Sequence, residues 1–154
     1  MVIPGWPKSE VEQWLAGNGW EVGRNVSETI DQFVDMAVAQ SEKEGFPTPP
    51  VPAAVEFLHS FGLLDLRNPI DPEEILVVNP AGGHSGDFEE MSERSGELGT
   101  RLFRVGYEEP EGARVLMDES GKFYYMHWSG FFFLGSDAYE AFGNWIVNNL
   151  QELD

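Results

Sequence analysis

Apolar residues recur three and four positions apart in the first third of the chain and at every second position in much of the rest. That change of period predicts where helices give way to strands. Val11, Trp14 and Leu15 share one side of a helix that opens at Ser9, where Glu12 completes a capping box, and stops at Gly17-Asn18-Gly19. A short extended piece, Trp20 to Val26, leads to a second helix capped by Ser27, striped by Ile30, Phe33, Val34, Ala37 and Val38, and closed by Gly45. Phe46-Pro47-Thr48-Pro49-Pro50 reads as a stiff connector, because each proline fixes its own φ and pushes its neighbour toward extended geometry. A third helix starts near Val51-Pro52, buries Ala54, Phe57, Leu58 and Phe61, and ends at Gly62.

Beyond Gly62 the period shortens. Leu64 and Leu66 alternate, and Ile75 to Val78, Leu102 to Val105, Val115 to Met117, Phe123 to Met126 and Phe131 to Leu134 read as strands. Asp118-Glu119-Ser120-Gly121 is the clearest hairpin turn. One helix, Asp87 to Leu98, interrupts the strands with a thin stripe of Phe88, Met91, Ser95 and Leu98. A closing helix has Ser136 as cap, Asp137 complementing the dipole, and Tyr139, Phe142, Trp145 and Ile146 facing inward. Helices in front and hairpin-linked strands behind predict an α+β fold. The expectation is a single domain over residues 1–154, with an antiparallel sheet of about five or six strands packed against N-terminal and C-terminal helices.

Composition narrows the class. Apolar residues make up 42% and aromatics 13%, which is globular and not disordered. The absence of cysteine excludes disulfides, thiolate zinc sites and Cys nucleophiles. Residues Met1 to Lys8 lack the basic start and apolar run of a signal peptide, and no stretch approaches the ~20 apolar residues of a membrane span. A soluble, cytoplasmic protein with no membrane partner is expected.

Charge says more. Twenty-seven acidic against nine basic side chains give a formal charge of −18 on 154 residues. Nucleic acids and anionic lipids are bound chiefly through Lys and Arg. This chain would be repelled from them within a Debye length of roughly 8 Å. A basic protein surface would be drawn to it. Solubility alone is the plainer explanation and stays open at this point.

Candidate chemistry is thin. No two of His59, His84 and His127 sit at a metal-binding spacing, and His59 and His127 read as structural. His84 lies in a glycine-rich loop, Pro80 to Gly86, that lacks the lysine of a phosphate cradle. It also misses the nucleophile-elbow pattern, since glycine follows Ser85 directly. The pairs Glu89-Glu90, Glu108-Glu109 with Glu111, and Asp118-Glu119 read as solvated, on a helix face, a loop and a hairpin turn. A general acid would need burial to shift its pKa. No catalytic residue, cofactor or metal is therefore expected. A docking face is the competing use of these carboxylates. If loop and hairpin turn share one end of the sheet, Glu108, Glu109, Glu111, Asp118 and Glu119 form one negative rim, with Glu89, Glu90 and Glu93 as a second set. Trp128 and Phe131 would supply apolar anchors, although a core role is the plainer one for both.

The order of elements resembles a known family. Ala16 to Val26, with Gly19-Trp20 and Gly23-Arg24, is similar to the opening of the third SUKH subfamily of bacterial immunity proteins. Pro52 to Leu63, Gly99 to Gly106, Val115 to Tyr124, and Leu134 to Phe142 resemble its later motifs in the same order, so the likeness spans roughly residues 9–150. Arg104 stands where that pattern has proline, and Leu63 where it has a second glycine. The resemblance implies an α+β immunity fold and a non-enzymatic cytoplasmic antidote. Its partner would be a cognate toxin domain with a basic surface, often a nuclease or other nucleic-acid-modifying enzyme, with no direct nucleic-acid contact. An interaction or scaffold module of the same fold, without a toxin, is the alternative; a small hydrolase built on His84 is a third class.

Overall fold

A computed structural model describes residues 6–153; residues 1–5 and 154 lie outside the described residues, and so does most of the leader reading. The first helix, α1 (Lys8–Gly17), begins directly behind Pro7, whose carbonyl accepts the amides of Glu10 and Val11. No side chain caps it, so the Ser9 capping box does not form. Proline's fixed φ turns the chain into the helix two residues early. The expected strand-like piece from Trp20 to Val26 contains only turns and irregular chain. It is held by side chains: the Trp20 ring stacks on Phe61 and its indole N–H donates to Ser60 Oγ. Helix α2 (Ser27–Lys43) starts at Ser27 itself, and the Asn25 side chain accepts the Ser27 amide at 2.8 Å. After the proline connector, α3 (Pro52–Phe61) has proline in its first turn, as expected.

The strands are β1 (Asp65–Arg67), β2 (Ile75–Val77), β3 (Leu102–Glu109), β4 (Arg114–Asp118), β5 (Phe123–His127), β6 (Gly130–Gly135) and β7 (Gln151–Glu152). Helix α4 (Asp87–Leu98) falls between β2 and β3, and α5 (Ala138–Ile146) between β6 and β7. All seven strands form one antiparallel sheet in chain order. Strand β7 carries no apolar alternation; its pairing with Phe132 and Phe133 makes it a strand. The cap of α5 is Asp137, which accepts the Glu140 amide at 2.9 Å, and not Ser136.

Alternation divides each strand between two cores. Helices α1, α2, α3 and α5 cover one face, over Val105, Val115, Met117, Phe123 and Leu134. Phe57 is central there, packed on Phe61, Phe123 and Phe142 at ring distances of 5.0–6.0 Å. Helix α4 covers part of the other face, laying Phe88 and Met91 over Leu116, Tyr124, Met126 and Phe131. Burial on both sides explains why Phe123 to Met126 is a continuous apolar run and not an alternating one.

Two backbone features lie beside β2. A bulge between Arg104 and Gly106 shifts the register of β3 against β4. A Cβ at Gly106 would lie 2.6 Å from the Val77 carbonyl oxygen, so only glycine lets β2 approach here. Leu63 adopts φ +69°, the left-handed region that costs a branched L-residue roughly 1–2 kcal/mol. That is the position where the family pattern has glycine.

Candidate functional site: the acid-bearing end of the sheet

In an antiparallel meander, successive turns lie at alternate ends. The β1–β2, β3–β4 and β5–β6 turns therefore share one end, and the β4–β5 turn sits at the other. This separates the expected rim. Glu119, at the far end, pairs with the Arg101 guanidinium at 2.9 Å. The backbone amide and side chain of Arg101 hold its carboxyl below the usual range.

Three of the expected contact residues point inward. Asp118 is 3% exposed and latches its own hairpin turn. Burial would push its carboxyl up, but bonds from the Ser120 hydroxyl, the Lys122 amide, the Tyr124 hydroxyl and the Ser120 amide outweigh that and hold it low. Glu108 is 2% exposed; its Oε2 accepts the Tyr125 hydroxyl at 2.5 Å and the Trp145 indole N–H at 3.3 Å. Burial and the Glu108 carboxylate push the Tyr125 hydroxyl far up, so it stays a protonated donor. The reason Glu108 turns in is the bulge: one extra residue flips side-chain parity, which places Glu108 with Tyr125 and turns Tyr107 and Glu109 to the opposite face. Phe131 is core, stacked on Tyr124 at 5.5 Å. These three leave the surface set.

The residues that remain converge at the other end. Glu109 and Glu111 are exposed around the β3–β4 turn. Asp71 and Glu73, which sequence reasoning passed over, are exposed on the β1–β2 turn beside them. Their signal was legible as an Asp-Pro-Glu-Glu turn. Glu74 follows, half-buried, and its carboxyl is raised by burial and then by the charges of Glu108, Asp71 and Glu111. On the β5–β6 turn Trp128 is 82% exposed, the reverse of the core role that is plainer for a tryptophan.

His127 ties these turns together. Its Nδ1 accepts the Ser129 amide at 3.2 Å, which places the proton on Nε2. Nε2 then faces the Glu111 carboxylate at 3.5 Å. Trp128 packs its ring 5.0 Å from that imidazole. The aromatic is thus presented from an ordered hairpin. His59 is a surface partner of Asp31 at 2.8 Å, joining α3 to α2. His84 is exposed in its loop, and its amide donates to Asp87. Among the described residues, no group of three or more His, Asp or Glu is placed to hold a metal ion.

A buried ion-pair network, invisible in the sequence, seats α4. Asp87 accepts from Arg104 Nη1 at 3.0 Å and lies 3.0 Å from Arg114 Nε. Arg104 also donates to the Pro80 carbonyl and lies over the Phe88 ring. Arg114 reaches Glu90 at 3.7 Å and donates to the Gly112 carbonyl at 2.6 Å. One anionic residue thereby connects α4 to the turn that carries Glu109 and Glu111. On α4, Glu89 and Glu93 face solvent, while Glu90 is half-buried beside Arg94 and Arg114.

The geometry defines an α+β meander sheet with helices on both faces, and its outward charges lie on helices as well as on turns. The chain belongs to the SUKH-3 immunity protein family, which matches residues 7–148. No curated protein and no solved structure matches it. No described helix is long and apolar enough to cross a membrane.

Proposed function

We propose that this protein neutralises a cognate toxin domain, a nuclease or another nucleic-acid-modifying enzyme, by docking the acid-bearing end of its sheet on a basic surface of that domain. Family membership supports immunity against a toxin. The observation that carries the rest is the convergence of Asp71, Glu73, Glu109 and Glu111 with the exposed Trp128. Exposed carboxylates also line α1 and α2, so charge alone selects no face. This end adds an aromatic anchor to the charge, and Tyr, Trp and Arg anchors dominate binding energy. A nuclease cleft is basic because its substrate is a polyanion, so an acidic rim can occupy it. Such action takes place in the cytoplasm of the cell that makes the toxin, and no bond is made or broken.

The test pairs growth rescue with kinetics, using candidate toxin domains co-expressed with this protein. Glu109→Lys with Glu111→Lys should slow association at least tenfold at low salt and flatten its salt dependence. Trp128→Ala should speed dissociation. Unchanged rates in both variants would refute docking at this end, and failure to rescue would refute the immunity reading for that pair.

A further inference from the structure

Helix α4 covers only part of its face of the sheet. Over β1, β2 and the end of β3, Ile75, Val77 and Tyr107 stay half-buried, and their register partners Asp65, Arg67 and Glu109 are exposed at either side. The row Asp65–Val77–Tyr107 runs straight across three strands, with Arg67, Ile75 and Glu109 in the row beside it. A largely apolar strip about 10 Å wide results, flanked by Asp65 and Glu109, with Arg67 beside Ile75 and the chain's own loop at Gly82 against the Tyr107 ring. The Tyr107 hydroxyl reports that field: burial raises its pKa, and the charges of Glu109 and Asp65 raise it further.

Leu63 marks the head of the strip. Its amide donates to the Val78 carbonyl at 2.7 Å, its φ is +69°, and its side chain is 38% exposed. Leu63 thus holds a partly exposed apolar side chain at a backbone conformation that glycine adopts without strain. Strain of this kind collects at binding sites.

We infer that this strip is the second half of the docking face, and that it receives an apolar side chain of the toxin flanked by Lys or Arg. The inference rests on the immunity reading above. The rim alone is small beside the roughly 800 Å² per partner of a standard interface, and Glu109 belongs to both rim and strip, so the two form one continuous surface. A second copy of this chain is the wrong occupant, because two bodies of formal charge −18 repel one another. A cationic partner satisfies Asp65 and Glu109 while covering Val77 and Tyr107.

The decisive variant is Leu63→Gly, measured on the full chain and its complex with the toxin domain that passes the rescue test above. Its folded state should resist urea at least as well as the parent, because strain is relieved, while the complex dissociates tenfold or more faster. Val77→Lys should raise the dissociation rate by a similar factor without altering the salt dependence of association. Faster dissociation with unimpaired folding supports the strip. If both variants bind as the parent does while Glu109→Lys with Glu111→Lys weakens binding, the strip is overturned and the rim stands. If neither set has an effect, or no complex forms, both readings fall. A concentration-dependent dimer abolished by Val77→Lys would also overturn the inference.

Discussion

Replacing Asp87 with alanine should destabilise the protein by about 3–5 kcal/mol, the usual cost of breaking a buried ion pair by removing one partner. Asp87 lies 3.0 Å from both Arg104 and Arg114, and its side chain is 2% exposed. At an effective dielectric of about 20, charges 4 Å apart attract by about 4 kcal/mol, which offsets the desolvation of each guanidinium. The two arginines do not suffer equally when the carboxylate goes. Arg104, 4% exposed, keeps the Pro80 carbonyl, the Phe88 ring and the charge of Glu44, and burial already lowers its pKa. Arg114, 14% exposed, can turn toward Glu90, 3.7 Å away. Most of the loss therefore belongs to Arg104. Urea denaturation of Asp87→Ala, Arg104→Met and the double variant measures it. The double variant should be no less stable than Asp87→Ala alone, because the more deeply buried of the two orphaned guanidiniums is gone and Arg114 keeps Glu90 within reach. Loss of the Asp87–Arg114–Gly112 tether should also speed hydrogen exchange at the Gly112 amide, which donates to the Glu108 carbonyl at 2.8 Å. A cost below about 1 kcal/mol, or strict additivity in the double variant, would refute the reasoning.

Two further outcomes test the buried polar groups and the bulge. Asp118 has a depressed folded pKa, so its contribution is fully present above its unfolded value, near 3.9, and is lost as pH falls through the lower folded one. Asp118→Asn should then cost about 1–2 kcal/mol near pH 7, the difference between bonds to a charged and a neutral acceptor. The gap from the parent should close below about pH 4; urea midpoints across that range check it, and a pH-independent gap contradicts it. Gly106→Ala sets a Cβ 2.6 Å from the Val77 carbonyl oxygen, and should lower stability by about 1–3 kcal/mol. A thermal midpoint that does not move would mean that β2 yields at that point.

Element boundaries were largely legible, because apolar period is local information. Helices α3 and α4 and the β4–β5 hairpin lie where periodicity and turn residues put them. The misses share a cause. None of Ser9, Ser27 and Ser136 is a cap: α1 begins behind Pro7 and α2 behind Val26, neither with a side-chain cap, and Asp137 caps α5, choices set by which geometry the neighbouring turn permits. Strand β7 escaped because its evidence lies in the partner strand and not in Gln151 and Glu152.

The candidate site divides the same way. Excess acid, the missing cysteine, the aromatic content and the order of motifs are properties of composition and order, readable along the chain. Which carboxylates face a partner is a property of parity and of turn placement. Glu108 and Glu109 are adjacent and chemically equivalent, yet one bonds Tyr125 and Trp145 in the core while the other lies at the surface. A single extra residue near Gly106 decides between them, since a strand's side-chain period of two turns any one-residue shift into a change of face. Asp118 and Glu111 looked like members of one rim until the meander put their turns at opposite ends of β4. Sequence determined how much negative charge this protein carries and on which elements; only tertiary structure decided which of it points outward, because direction is set by long-range pairing that no local pattern encodes.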